Sequence, residues 1–155
     1  MEYIIKDLTN GTERAFYNSK GIIFDNITID GIEDGESAFK ESKNLKVLNS
    51  KFHLRYPFWH NTVLEIQDSY FSDTCRAPIW YSQNVVLNNI KCYGVKAVRE
   101  CKNITINNSY IESSEFCWLS DIIHIEETTL FSEYAFLHSK NMDINRLSFK
   151  GKYSF

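Results

Sequence analysis

The chain has 155 residues, and its 17 Lys or Arg and 20 Asp or Glu residues give a formal net charge of −3. The length predicts one domain, and so mild a charge argues against the clustered basic footprint that nucleic-acid binding needs. No apolar run approaches the roughly 20 residues of a membrane-spanning helix, and the first residues lack the basic start and apolar middle of a signal peptide. We therefore expect a cytoplasmic protein.

A short motif recurs along the chain and each copy ends in a small residue. Ala38–Ser42, Pro78–Ser82 and Ala135–Ser139 are three of the copies. A period near 20 residues, kept over seven copies, is the pattern of a solenoid. The small residues that end the copies are Ser19, Ser42, Asn61, Ser82, Cys101, Ser120 and Ser139.

Residues 1–14 precede the first copy, and we expect Ile4 and Ile5 to pair with the first coil as a capping strand, because an open coil exposes its core and its strand edge. Residues 15–155 then repeat one plan. A run of alternating apolar and polar residues such as Leu45–Leu48 predicts a strand. A bend follows, usually at an Asn or Asp such as Asn49, because these residues tolerate a left-handed backbone. An apolar residue such as Phe52 then begins a second strand, and the recurring motif supplies a third.

Three short strands and three bends in about 20 residues predict one turn of a parallel β-helix. The prediction is thus an all-β protein: a right-handed, single-stranded parallel β-helix of about seven coils, forming one domain over residues 1–155. The right hand follows from the general preference of parallel crossovers. The Leu-x-x-Leu-x-Leu frame of leucine-rich repeats and the period of pentapeptide solenoids are both absent.

Equivalent residues of successive coils form columns along a solenoid, and two columns are informative here. The residue after the leading Ala or Pro is apolar in all seven copies, so we expect it to point inward. The small residue suits a tight corner, where its hydroxyl or amide can satisfy buried backbone groups. The expected inward residues are Phe16, Phe39, Phe58, Ile79, Val98, Cys117 and Phe136.

The four cysteines, Cys75, Cys92, Cys101 and Cys117, contain no Cys-x-x-Cys pair. This spacing makes a zinc site improbable, and we expect reduced, mostly buried thiols that fill small spaces in the core. No metal and no cofactor is predicted.

Several motifs resemble an uncharacterised bacterial family of short parallel β-helix proteins, similar in architecture to pectin lyases. The resemblance covers nearly the whole chain, and it implies a right-handed β-helix without an assigned activity. The motifs are Gly35–Ala38, Glu41–Asn44, Leu54–His60, Trp80–Ser82, Ala97–Cys101 and Gly151–Phe155.

The column one residue after the inward position is the candidate binding site. Because Lys40 and Arg99 would not sit in a dry core, we expect this column to face outward or to lie in a shallow groove. Exposed aromatic rows bind flat apolar faces such as those of sugars, and an Arg adds a cation–π or carboxylate contact. The alternative is an aromatic stack that only covers the side of the solenoid. The candidate ligand-binding residues are Trp59, Trp80, Arg99 and Trp118, flanked by His60, Tyr81 and Arg76.

Three functions remain open from the sequence. The expected one is a non-catalytic binding or scaffold module, whose ligand would be a carbohydrate or a small acidic molecule. The second is a carbohydrate-active enzyme, either a lyase or a hydrolase. No catalytic residue is assigned, because Glu41 and Glu100 would lie roughly 14 Å apart at about 4.8 Å per coil. This distance is too long for a pair of catalytic carboxylates. The third is an assembly unit. Because Phe155 falls in mid-coil, we expect Met142 to Phe155 to leave an open edge through which two copies associate.

Overall fold

A computed structural model describes residues 3–31 and 35–154, and these residues form β-strands and no helix. No helix in this part of the chain is therefore long and apolar enough to cross a membrane. The strands are β1 (Tyr3–Asn10), β2 (Ile22–Ile29), β3 (Lys43–Leu48), β4 (Lys51–Phe52), β5 (Phe58–Trp59), β6 (Thr62–Gln67), β7 (Tyr70–Phe71), β8 (Ile79–Trp80), β9 (Gln83–Asn88), β10 (Lys91–Cys92), β11 (Val98–Arg99), β12 (Lys102–Asn107), β13 (Tyr110–Glu112), β14 (Glu115–Phe116), β15 (Asp121–Phe131), β16 (Tyr134–Ala135), β17 (Lys140–Lys150) and β18 (Tyr153–Ser154).

The first face of the solenoid is a parallel sheet with one strand from each coil, in the order β1-β2-β3-β6-β9-β12-β15-β17. Ile4 pairs with Ile23 and Ile5 with Phe24, so the predicted pairing of the N-terminal strand with the first coil is confirmed. The fold class is confirmed as an all-β parallel solenoid. It has about eight turns, and the predicted seven is approximately right. The difference arises because β1 takes the same place in the sheet as the strands of the recognised repeats.

Short strands build the other two faces, and all of their pairings are parallel. Strands β4, β7, β10 and β13 stack on the second face. Strands β5, β8 and β11 stack on the third, which β14, β16 and β18 continue toward the C-terminal coils. Each middle coil therefore has three short strands, as predicted, whereas β1, β2, β15 and β17 continue through the first bend as single long strands. The right-handed crossover stays a prediction.

The bend between the first two faces has a left-handed backbone in successive coils. Asn side chains suit it because they tolerate this conformation and because they reach the preceding coil: Asn49 Nδ2 donates to Asp25 Oδ1 at 3.0 Å, and Asn89 Nδ2 donates to Asp68 Oδ1 at 2.6 Å. The predicted bend residues all have φ between 51° and 54°: Asn26, Asn49, Asp68, Asn89, Asn108, Glu127 and Arg146.

The predicted inward column forms the core. Phe39, Phe58, Ile79, Val98 and Phe136 are buried, as expected, with at most 2% of each side chain exposed. In the N-terminal coils the rings stack along the axis, with centroids 4.8 Å apart for Phe39 and Phe58. Phe16, at the N-terminal end of this stack, is half-buried.

The column of small residues satisfies backbone groups at its corner, as predicted. The backbone N–H of Asn61 donates to Ser82 Oγ at 3.0 Å, and that of Cys101 donates to Ser120 Oγ at 3.2 Å. Cys101 occupies a serine position of this column, and its Sγ lies 3.2 Å from the Arg99 carbonyl oxygen. The chemistry of this corner therefore explains why one cysteine stands in the repeat.

All four cysteines are free and buried, which confirms the prediction of unpaired core thiols. Burial raises the pKa of the Cys92 and Cys101 thiols to about 12. Burial likewise raises the pKa of Cys75 and Cys117 well above the usual value. These side chains are therefore neutral core residues at physiological pH.

The C-terminal strand β17 exposes more of its inward residues than the strand before it. Met142 and Ile144 are half-buried, whereas their partners in β15, Ile123 and Ile125, are fully buried. In the described part of the chain, β17 pairs only with β15. The expected self-association through Met142 to Phe155 stays a prediction, and Phe155 lies outside the described residues.

We expect the purified chain to dimerise with a concentration dependence that sedimentation velocity can measure. An inward charge on β17 discourages edge pairing, so Ile144→Lys should weaken the dimer at least tenfold. Val86→Ala, an exposed change in β9, is the matched control. A strict monomer at high micromolar concentration would contradict this prediction.

Candidate functional site

The candidate residues form one column along the third face. Trp59 in β5 pairs with Trp80 in β8, which pairs with Arg99 in β11. An isolated bridge then joins Arg99 to Trp118. We call Trp59, Trp80, Arg99 and Trp118 the tryptophan ladder. All four side chains are half-buried, so the ladder is neither core nor fully solvated surface.

The rings at the N-terminal end of the ladder face each other. The Trp59 and Trp80 rings are nearly parallel, at 9°, with centroids 5.0 Å apart. This separation is close to the strand spacing of about 4.8 Å, so the rings follow the backbone from coil to coil. Lys40 Nζ lies 4.2 Å from the centroid of the Trp59 ring. Lys40 and Trp80 thus both contact the Trp59 ring, and Trp59 covers one face of the Trp80 ring.

Tyr56 belongs to the same cluster, although the sequence pattern did not place it there. Its ring packs at a tilt against Trp59 and Trp80, with centroid distances of 6.2 and 5.6 Å. The indole Nε1 of Trp80 is buried without a hydrogen-bond partner among the described residues. A buried N–H without an acceptor is costly, so a small rearrangement that lets this donor reach an acceptor would be favourable.

A cation–π contact, an ion pair and a hydrogen bond hold the side chains at the C-terminal end of the ladder. Arg99 Cζ lies 5.7 Å from the Trp118 ring centroid, and Arg99 Nε lies 3.5 Å from Glu100 Oε1. The indole N–H of Trp118 donates to the Tyr134 carbonyl at 2.8 Å. Arg99 and Trp118 therefore form a cation–π pair with a fixed indole orientation, which adds a cationic group to the aromatic row.

The flanking residues lie beside the ladder but do not join its stack. His60 and Tyr81 follow Trp59 and Trp80 at a left-handed corner, with φ of 59° and 55°. Both are exposed, and their rings are 6.3 Å apart. Arg76 is also exposed, and its carbonyl accepts a hydrogen bond from the Tyr56 N–H at 2.9 Å.

A family of unknown function, described as "Protein of unknown function (DUF3737)", matches residues 3–155. The chain belongs to this family. No curated protein and no solved structure matches the chain. Membership in DUF3737 agrees with the resemblance to an uncharacterised solenoid family, and it adds no activity, ligand or partner.

The acidic groups near the ladder of this DUF3737 protein already have partners. Glu41 Oε1 lies 2.9 Å from His60 Nδ1, and Glu100 lies against Arg99. Over the described residues, no group of three His, Cys, Asp or Glu side chains is placed to hold a metal ion. The chemistry that the ladder offers is therefore aromatic and cationic contact.

A second aromatic row, which the sequence reasoning missed, lies beside the second-face strands of the DUF3737 solenoid. Its rings come from five successive coils, with consecutive centroids 5.8 to 6.0 Å apart. The signal in the sequence was an aromatic residue just before or just after the inward residue of these coils. The members of this tyrosine row are His53, Tyr70, Tyr93, Tyr110 and Phe131.

Proposed function

We propose that this chain is a non-catalytic binding module and that the tryptophan ladder is its binding surface for a carbohydrate or a small acidic ligand. The observation that carries the proposal is the register of the three tryptophans with Arg99. These four side chains occupy successive coils of one column and remain half-buried. A partly exposed row of large aromatic side chains with a cation in the same column is typical of binding surfaces.

The two cations of the column support an acidic ligand within that class, whose carboxylate would compete with Glu100 for Arg99. Lys40 and Arg99 lie three coils apart, roughly 14 Å at about 4.8 Å per coil, on either side of the stacked Trp59–Trp80 pair. The edges of aromatic rings carry partial positive charge, so ring edges between two cations attract carboxylate oxygens. An oligosaccharide of uronic acids combines such carboxylates with apolar C–H groups that can pack against the indoles.

Intrinsic tryptophan fluorescence tests this proposal directly, because every tryptophan of the chain lies in the ladder. We expect a saturable change on titration with an oligogalacturonate, and a weaker response to an uncharged oligosaccharide of the same length. The Trp80→Ala variant should bind at least tenfold more weakly, because it removes the central ring of the cluster and leaves Trp118 as a reporter.

The control variant is Val86→Ala, an exposed change on the first face that should leave affinity unchanged. Calorimetry on the Trp59→Ala/Trp80→Ala double variant shows whether a lost fluorescence response means lost binding or only the loss of two fluorescent side chains. Unchanged affinity in this double variant would remove the ladder from the binding surface, and the absence of saturable binding by any acidic or neutral oligosaccharide would overturn the proposal.

We also propose a pectin-lyase-like superfamily assignment, a bacterial origin and a cytoplasmic location. The coil period and the three parallel faces support the superfamily, and the resemblance in the sequence motifs supports the bacterial origin. Four unpaired thiols support a reducing compartment, where cysteines stay free.

A further inference from the structure

The tyrosine row differs from the tryptophan ladder in how its rings meet. Consecutive rings are tilted by 48° to 56°, whereas Trp59 and Trp80 are nearly parallel. Tilted neighbours do not cover one another's faces as stacked rings do. Tyr70, Tyr93 and Tyr110 are half-buried, and Phe131 is 38% exposed. The row therefore offers parts of ring faces, as well as edges, to a ligand.

The tilt follows from the register of two columns. Tyr70 and Tyr110 alternate with Lys51 and Lys91 in the column just before the inward residue. Tyr93 lies just after the inward residue Cys92, so the rings zigzag between the two columns from coil to coil. Each ring thus has a non-aromatic neighbour within its own column, and the row keeps one ring per coil.

We propose that the tyrosine row binds a neutral linear polysaccharide laid along the solenoid axis. A row with one ring per coil suits a ligand made of repeating flat units, each of which can place an apolar C–H face against a ring. The hydroxyls of Tyr70 and Tyr93 add polar tips that can hydrogen-bond sugar hydroxyls, whereas the Tyr110 hydroxyl already donates to Glu112 Oε1 at 2.5 Å. The inference goes beyond the proposed function, because the row shares no residue with the tryptophan ladder and its ligand carries no charge.

The charges beside the row favour a neutral ligand. The exposed Lys51, Lys91 and Lys150 lie in the row's own columns, as do the exposed Asp30 and Glu112. The exposed Asp68 lies two residues before Tyr70. Because both signs are present in similar number, the row offers little net attraction to an anionic or a cationic chain.

The spacing disfavours an extended peptide as the occupant. Alternate side chains of a strand repeat at about 6.6 to 6.8 Å, whereas the rings advance by about 4.8 Å with each coil along the axis. Over the four steps from His53 to Phe131 the mismatch grows to roughly 7 to 8 Å, more than one residue of an extended chain. A peptide would therefore lose register with the row.

Affinity gel electrophoresis in native gels tests the inference with three probes: hydroxyethyl cellulose, linear mixed-linkage β-glucan and amylose. We expect at least one of the three to retard the full chain. The Tyr93→Ala variant should bind at least tenfold more weakly, and Tyr93→Phe should stay within threefold of the parent chain. Tyr93→Leu keeps the apolar packing but lacks a flat face, so it should resemble Tyr93→Ala.

Each outcome decides the inference. Loss of retardation in Tyr93→Ala and Tyr93→Leu, with full retardation of Trp59→Ala/Trp80→Ala, supports it. Full retardation of a Tyr70→Ala/Tyr93→Ala/Tyr110→Ala variant overturns it, as does the absence of retardation by all three probes. Retardation lost only in the tryptophan variant assigns the neutral chain to the ladder and also overturns it. The oligogalacturonate titration is independent of these gels, so either proposal can fail without the other.

Discussion

Replacing Phe58 with alanine is expected to lower the free energy of unfolding by about 3 to 5 kcal/mol, the usual range for a buried phenylalanine. The Phe58 ring is fully buried and stacks on Phe39 with centroids 4.8 Å apart. It also meets Phe52 edge-to-face at 5.1 Å and Phe71 at 6.3 Å. Its removal therefore opens a cavity shared by two ring stacks, and the neighbouring rings cannot close it without leaving their own coils.

Urea unfolding followed by circular dichroism measures this loss, and the exposed Tyr81→Ala serves as a control with an expected change within about 0.5 kcal/mol. Phe58→Leu should lose less than Phe58→Ala, because it retains most of the buried volume. If Phe58→Ala lowered the free energy of unfolding by less than about 1 kcal/mol, the ring stacks would contribute little stability beyond the pairing of the strands.

The second large effect is expected at alkaline pH. The buried thiols have pKa values raised to about 12 for Cys92 and Cys101, and raised for Cys75 and Cys117 as well, because burial disfavours the thiolate. Unfolding exposes them, and their pKa returns to about 8.5. Above that pH the unfolded chain binds fewer protons than the folded chain, so stability falls as pH rises.

Each thiol contributes a slope of about 1.4 kcal/mol per pH unit between its unfolded and folded pKa values, so four thiols together give at most about 5.5 kcal/mol per pH unit. The stability that the neutral thiols contribute is complete below about pH 8.5. Urea midpoints at half-unit steps up to about pH 9.5 measure the effect before tyrosines and lysines titrate.

Cys101→Ser is the matched variant, since serine occupies the equivalent positions 82 and 120. It should fold and reduce the alkaline slope by up to about 1.4 kcal/mol per pH unit, with the full reduction approached near pH 9.5. A midpoint that stays constant between pH 8 and pH 9.5, or rapid modification of the native chain by a thiol reagent at neutral pH, would contradict the buried, neutral thiols.

The sequence predicted the plan of the coils because local features of the repeat set it. A repeat near 20 residues located the inward column of Phe39 and Phe58, and the Asn and Asp residues located the left-handed bend. These features depend on alternation, side-chain size and φ, and each is visible in a single strand or corner. The place of Trp59 and Trp80 in one column follows from the same period.

The relative orientation of the aromatic rings could not be predicted in the same way. Whether Trp59 and Trp80 offer faces or edges depends on side-chain torsions, which neighbours such as Tyr56 and Lys40 set across coils. The tyrosine row was missed for a related reason. Its members alternate between two columns, so neither column is aromatic throughout, and only the packed coils bring Tyr70 next to Tyr93.

Partners along the first face are separated by the same nineteen residues from Gln83 to Lys102, from Lys102 to Asp121 and from Asp121 to Lys140. Duplication or loss of one such segment leaves every column aligned, because whole coils enter or leave together. The insertion or deletion of a single residue within a strand instead turns the inward residues outward. Molecules built this way can lengthen or shorten in evolution by whole coils without redesign of the core, and a duplicated 102–120 segment, which carries Tyr110 and Trp118, would add one ring to each aromatic row.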